Sequence, residues 1–219
     1  MKTFKTKYAA AAFALAALVP ALSHAAGVEV LNEGFNNVGN MSGWVQVNNS
    51  VPAGTGWFQG NAAVFNAQAG GPASYIAANY LGAANGVGSV DNWLITPLLN
   101  LSGTSTLSFF TSHAGDPGFS DKLEIRFASG TGTGTDAFST LLATISGTNY
   151  PTAWQQFTAS VNVDGPGRFA FRYLGDASAL NYVGLDSVRV VSAVPEPSLY
   201  LSLVMGLGAL SLLRRKFVK

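Results

Sequence analysis

Between residues 28 and 191 the apolar positions recur at every second residue. Leu123-Glu124-Ile125-Arg126-Phe127 places three apolar residues on one side of an extended segment and two charges on the other. Phe169, Phe171 and Tyr173 repeat the pattern within 168–173, and Val188 and Val190 within 186–191. Side chains that alternate between two faces belong to strands, so this period predicts half-buried β-strands. Further strands are predicted over 28–35, 44–47, 57–59, 63–65, 74–80, 91–97, 107–112, 141–145 and 157–163. Pro97 has no N–H to donate and ends its strand or confines it to an edge. Turn signals separate these segments: 51–56 with Pro52, Gly70-Gly71-Pro72, the Gly-rich stretch 81–89, and Asp164-Gly165-Pro166-Gly167. No long amphipathic helical period lies among them. Ten to twelve short strands joined by Gly-rich turns predict an all-β sandwich or barrel in one domain, residues 26–193.

The two ends break this pattern. Lys2, Lys5 and Lys7 precede an apolar run over 8–22, and Ser23-His24-Ala25 supplies small residues for cleavage after Ala25. That is the layout of a secretory signal peptide over residues 1–25, the alternative being an N-terminal anchor helix. At the other end, Val194-Pro195-Glu196-Pro197-Ser198 leads into an uncharged run over 199–213, followed by Arg214-Arg215-Lys216. Pro195 and Pro197 hold the motif extended and apart from the helix behind it. A helix over 199–213 reaches roughly 22 Å at ~1.5 Å per residue, against about 30 Å of bilayer hydrocarbon. It is a transmembrane helix of marginal length, with a basic tail over 214–219 that stays cytoplasmic.

Charge changes once the ends are set aside. Residues 26–193 keep five basic side chains against ten acidic ones. An acidic, Lys-poor domain does not suit nucleic acid. There is no cysteine, which excludes a disulfide framework and thiol catalysis. His113 is the one histidine of the domain, so an H-E-x-x-H zinc site is excluded, and a Ser-His-Asp triad could draw on His113 alone. It is expected as an exposed loop residue. The run Gly130-x-Gly132-x-Gly134 lacks the Lys-Ser/Thr of a phosphate loop and reads as a flexible loop. No pair of carboxylates stands out, and no catalytic residue is assigned.

Two resemblances rest on these residues. Asp91-Asn92-Trp93-Leu94-Ile95-Thr96-Pro97, Asp121-Lys122-Leu123-Glu124-Ile125-Arg126, Pro151 with Trp154, 168–173, and Asn181-Tyr182-Val183-Gly184-Leu185-Asp186-Ser187-Val188 resemble the choice-of-anchor J domain, which is related to cleaved-adhesin and MAM-like domains. The resemblance implies a jelly-roll β-sandwich of two antiparallel sheets on a surface protein, without an assigned activity. The 194–219 segment resembles a PEP-CTERM sorting signal of Gram-negative bacteria. That implies recognition of Pro195, Glu196 and Pro197 by an exosortase, with Arg214, Arg215 and Lys216 retaining the tail in the membrane until processing; a plain C-terminal anchor is the alternative. Such systems accompany exopolysaccharide, which implies a place in extracellular matrix, biofilm or floc.

Two binding readings follow. In a jelly roll the first and last strands are often antiparallel neighbours, which would bring Glu33 and Asp186 together as ligands of a structural Ca²⁺; otherwise Asp186 caps a turn and Glu33 is solvated. Most tryptophans and tyrosines lie within alternating strands and read as core. Trp57 and Tyr150 adjoin Gly- or Pro-containing turns and are the surface candidates for stacking on sugar. The sequence therefore points to an exported, non-enzymatic surface protein whose partners are secretion machinery, an exosortase and exopolysaccharide. A lectin-like module is the alternative, and a secreted hydrolase ranks last.

Overall fold

The computed structural model describes residues 27–194. Within them the chain forms β1 (Val28–Glu33), β2 (Val45–Asn48), β3 (Phe58–Gln59), β4 (Ile76–Asn79), β5 (Ser89–Ile95), β6 (Leu99–Leu101), β7 (Thr104–His113), β8 (Lys122–Ser129), β9 (Thr140–Ser146), β10 (Gln155–Asn162), β11 (Gly165–Asp176) and β12 (Tyr182–Ser192). The remaining ordered turns are short 3₁₀ segments, and no described helix is long and apolar enough to cross a membrane. The protein is all-β, and every strand pair is antiparallel.

The strands divide between two six-stranded sheets. The first runs β10-β7-β12-β4-β3, with β1 beside the second half of β12. The second runs β2-β5-β11-β8-β9, with β6 beside the start of β11. Their facing sides supply one core. Leu107 and Phe109 come from β7, and Val183, Leu185, Val188 and Val190 from β12; Ile125 and Phe127 come from β8, and Phe169, Phe171 and Tyr173 from β11. Phe109 meets Phe171 edge-on across the two sheets, with centroids 5.1 Å apart. That geometry suits the opposite charge of a ring's face and edge.

The alternation in β12 is interrupted once. Its pairing with β7 shifts register between Asp186 and Arg189, and Ser187 takes a positive φ of 50°. A bulge adds one residue to one strand and reverses which side chains face inward. Val183 and Leu185 therefore face the core before it, and Val188 and Val190 after it, although their spacing is odd. Asp186 is left with Tyr182 and Gly184 on the opposite side.

A segment over 60–75 lies against that outer side. Phe65 stacks on Tyr75 at 5.2 Å, meets Trp154 edge-on at 5.4 Å and Tyr182 edge-on at 5.5 Å. Gly184 makes this possible: a Cβ there would come within 2.8 Å of Phe65 and of Trp154. The strand predicted over 63–65 is not formed. Asn61 instead folds it into a turn, its side chain accepting from the Ala63 amide at 2.9 Å and its carbonyl from the Val64 amide at 2.9 Å. β6 was not anticipated, because Leu99-Asn100-Leu101 is too short to show a period.

Candidate functional site

The residues expected to bind metal lie at the bulge. β1 and β12 do pair, with Glu33 opposite Val188. Asp186 is fully buried, and its carboxylate meets donors: the amides of Gln68 (2.9 Å) and Ala69 (3.1 Å) on one oxygen, the Ser187 amide (2.6 Å) and hydroxyl (3.3 Å) on the other. Burial pushes its pKa above the ordinary value, and these donors offset only part of that. Glu33 accepts the Phe35 amide at 2.8 Å. No cluster of three or more acidic, His or Cys side chains forms among the described residues. A calcium ion needs six to eight oxygens with lone pairs turned toward it. The lone pairs of Asp186 are turned toward N–H and O–H groups, so the donor set fits a strap anchor better than a resident Ca²⁺. The melting temperature is therefore expected to be the same in EDTA and in millimolar calcium. A rise with calcium would support Glu33 and Asp186 as ligands, since a ligand of the native state must stabilise it.

Trp57 and Tyr150 are corrections. Both are buried, at 4% and 3% exposure, and both join the main core. The Tyr150 hydroxyl bonds Thr111 Oγ1 at 2.8 Å, and Thr111 donates to the Gly184 carbonyl at 2.7 Å. A glycine or proline nearby turned the backbone, but the ring went inward, because a Trp or Tyr buries a large apolar area. Neither ring faces solvent as a platform for sugar.

His113 also differs from expectation. It ends β7 rather than sitting in an exposed loop, and its side chain is 11% exposed. Its Nδ1 lies 3.2 Å from Asp121, which is fully buried. Asp121 also accepts the Tyr173 hydroxyl at 2.5 Å and the Asn181 amide at 2.9 Å. Burial, then the Asp121 charge, push the Tyr173 phenol well above its ordinary pKa, so it remains a donor. Sequence reasoning missed Asp121 as a hub, since its partners lie 8, 52 and 60 positions away.

The outer face of the second sheet carries a charge network. Arg172 grips Asp91 with Nε at 2.6 Å and Nη2 at 3.0 Å, lies 4.8 Å over the Trp93 ring, and reaches Glu124 at 3.4 Å. Arg126 and Lys122 approach Glu124 at 2.8 and 3.2 Å. Burial opposes ionisation of Glu124, but the Arg126 and Lys122 hydrogen bonds outweigh it and hold its pKa below 4.5. A lowered carboxyl pKa stabilises the fold above the unfolded value, and that contribution is lost as pH falls through the folded value. The stability gap between wild type and Glu124→Gln is thus expected to be widest near neutrality and to close below pH 4.5, as read by denaturation at each pH.

The described residues also form an open cleft. It lies where the edge strands β9 and β10 of the two sheets face each other, and it encloses about 400 Å³. Its apolar lining is Phe127, Leu142, Val161 and Val163 with two alanines; Ser129, Ser139, Thr140, Ser160 and Asn162 line the rest. Thr140 pairs directly with Phe127 and so shares its inward face, yet is exposed. The register of β8 and β9 then skips Leu142, a bulge that leaves both Leu142 and Ala143 packed on the core while Leu141 stays 49% exposed.

An antiparallel two-sheet sandwich with internally satisfied buried acids defines the class of domain. The cleaved adhesin domain profile matches residues 28–190, and the chain belongs to that family. Two solved structures are similar over nearly their full length. The K1 cleaved adhesin domain of Lys-gingipain from Porphyromonas gingivalis W83 is 27% identical, with a TM-score of 0.59; the match covers 75% of this chain and 99% of that one. The K3 domain of the same protein is 26% identical, with a TM-score of 0.55, covering 76% and 99%. No curated protein matches the chain. The predicted site residues Ala25, Pro195, Glu196, Pro197, Arg214, Arg215 and Lys216 lie outside the described residues.

Proposed function

We propose that this chain is an exported, non-catalytic adhesion module of the cell surface or extracellular matrix, built on a jelly-roll-type sandwich. The observation that carries the reading is that the family match coincides with a sandwich whose buried acids, Asp121, Glu124 and Asp186, are all tied to internal donors. General acid–base chemistry needs a carboxyl held free to reach a substrate, and these three are held away from one. Similarity to two adhesin domains above a quarter identity supports adhesion over hydrolysis.

Export and sorting rest on the sequence. The Lys2–Ala25 pattern supports secretion. The motif Pro195-Glu196-Pro197, the short apolar run and Arg214-Arg215-Lys216 support exosortase processing, with an inner-membrane-tethered intermediate before release to the surface and its exopolysaccharide. Intact mass of protein harvested from cells tests this. The expected mass lacks residues 1–25 and the tail, cut at or near the Pro-Glu-Pro motif. A full-length tail on surface protein would remove the sorting part. Adhesion is tested by binding of the purified domain to its own cell matrix; no retention by matrix or cells would remove the adhesion part.

A further inference from the structure

We infer that the cleft between β9 and β10 is a binding site for a neutral saccharide segment. The inference rests on the adhesion reading and goes beyond it by naming the ligand class and its place. No side chain lining the cleft is titratable. A charged ligand would have to shed water there without an opposite charge to meet it, which is costly. The nearest cation on β8, Arg126, is already engaged by Glu124 at 2.8 Å and by the Phe138 carbonyl at 3.1 Å. Beyond β10, Asp164 is held by the Gly103 amide at 2.9 Å. An uncharged ligand is therefore favoured.

The lining also separates by chemistry. Phe127, Leu142, Val161 and Val163 form an apolar floor, while the hydroxyls of Ser139 and Thr140 and the amide of Asn162 stand among its exposed residues. A pyranose or furanose ring has the matching division, with C–H groups on its faces and hydroxyls round its rim. The volume of about 400 Å³ falls in the ordinary range for small-ligand sites, roughly 300–1,000 Å³, and suits one or two sugar rings. Among the described residues β9 pairs only with β8, and β10 only with β7, so each presents backbone N–H and C=O groups unpaired within them along the cleft. These groups can serve sugar hydroxyls on both sides. An extended peptide added to one edge would want alternate side-chain pockets along a strand; a single void with a hydroxyl rim offers none. The cleft stays open because the residues at its mouth are Ser, Thr and Ala, too small to bridge it, and the β9 bulge widens the edge.

The test titrates the 26–194 domain with neutral gluco-, xylo- and galacto-oligosaccharides of three to six units, following amide shifts by NMR. The expected result is saturable shifts confined to 127–142 and 160–163. Thr140→Trp, which fills the void from an exposed position, should weaken binding at least tenfold with the melting temperature kept. Ser139→Trp offers the same block should Thr140→Trp fail to fold. Binding with shifts elsewhere, and no loss in either variant, would overturn the cleft while leaving a glycan-binding adhesin standing. Retention on cell matrix without binding to any neutral saccharide would overturn the ligand class. So would a preference for uronic-acid oligomers or for an extended peptide. Loss of matrix retention altogether would remove the adhesion reading itself.

Discussion

Asp121→Ala is expected to lower stability by about 3 kcal/mol, read as a fall in the urea midpoint with little change in slope. The reason is what the substitution leaves behind. Asp121 is fully buried and accepts from Tyr173, Asn181 and His113. Alanine strands those groups without a partner or water, and a buried unsatisfied donor costs more than the lost bond was worth. Asp121→Asn keeps the volume and one acceptor oxygen and should cost less than half as much. The hub ties the end of β7 to β11 and to the turn before β12, so its loss should also speed amide exchange around 113–121 ahead of global unfolding. A loss below about 1 kcal/mol would show that this network is not what holds the end of the sandwich together.

Phe171→Ala is expected to cost more, about 3–5 kcal/mol. Phe171 is fully buried at the centre of β11, the strand flanked by β5 and β8, and its ring meets Phe109 of the opposite sheet. Truncation removes both the transferred apolar surface and the filler between the sheets, and strands on both sides limit how far the site can collapse. Leu98→Ala is the comparison: Leu98 is 43% exposed, and a change within about 0.5 kcal/mol is expected there. Near-equal effects in the two variants would contradict the placement of the core.

The internal acids bear on function as well as stability. Glu124, Asp121 and Asp186 each sit among internal donors that meet their carboxyl oxygens. Under the proposed adhesion reading, these three carboxyls tie the fold together rather than face a ligand. Asp186 does a further job. By gathering the Gln68 and Ala69 amides it fastens the 60–75 strap over the outer face of the first sheet, where Phe65 covers Tyr75 and Tyr182.

Periodicity alone determined much of this protein. A two-residue repeat forces apolar side chains to one face of a strand, so β8, β11 and the core face of Leu123, Ile125, Phe127, Phe169, Phe171 and Tyr173 were legible directly. Composition also determined that thiol and H-E-x-x-H chemistry are excluded, and that the domain is acidic. Tertiary structure decided what depends on distant partners. Whether Trp57 and Tyr150 face solvent is set by which sheet closes over them, and local turns carry no record of that. Asp121 and Asp186 became hubs because, besides near neighbours, donors reach them from segments 52 to 118 positions away. The β12 bulge, which rescues the inward face of Val188 and Val190, is visible only against the register of β7. The cleft exists because two edge strands, each ordinary in sequence, end opposite one another without pairing. A strand's own face is a local property of the chain, whereas an enclosed space or a satisfied buried charge belongs to the elements that surround it.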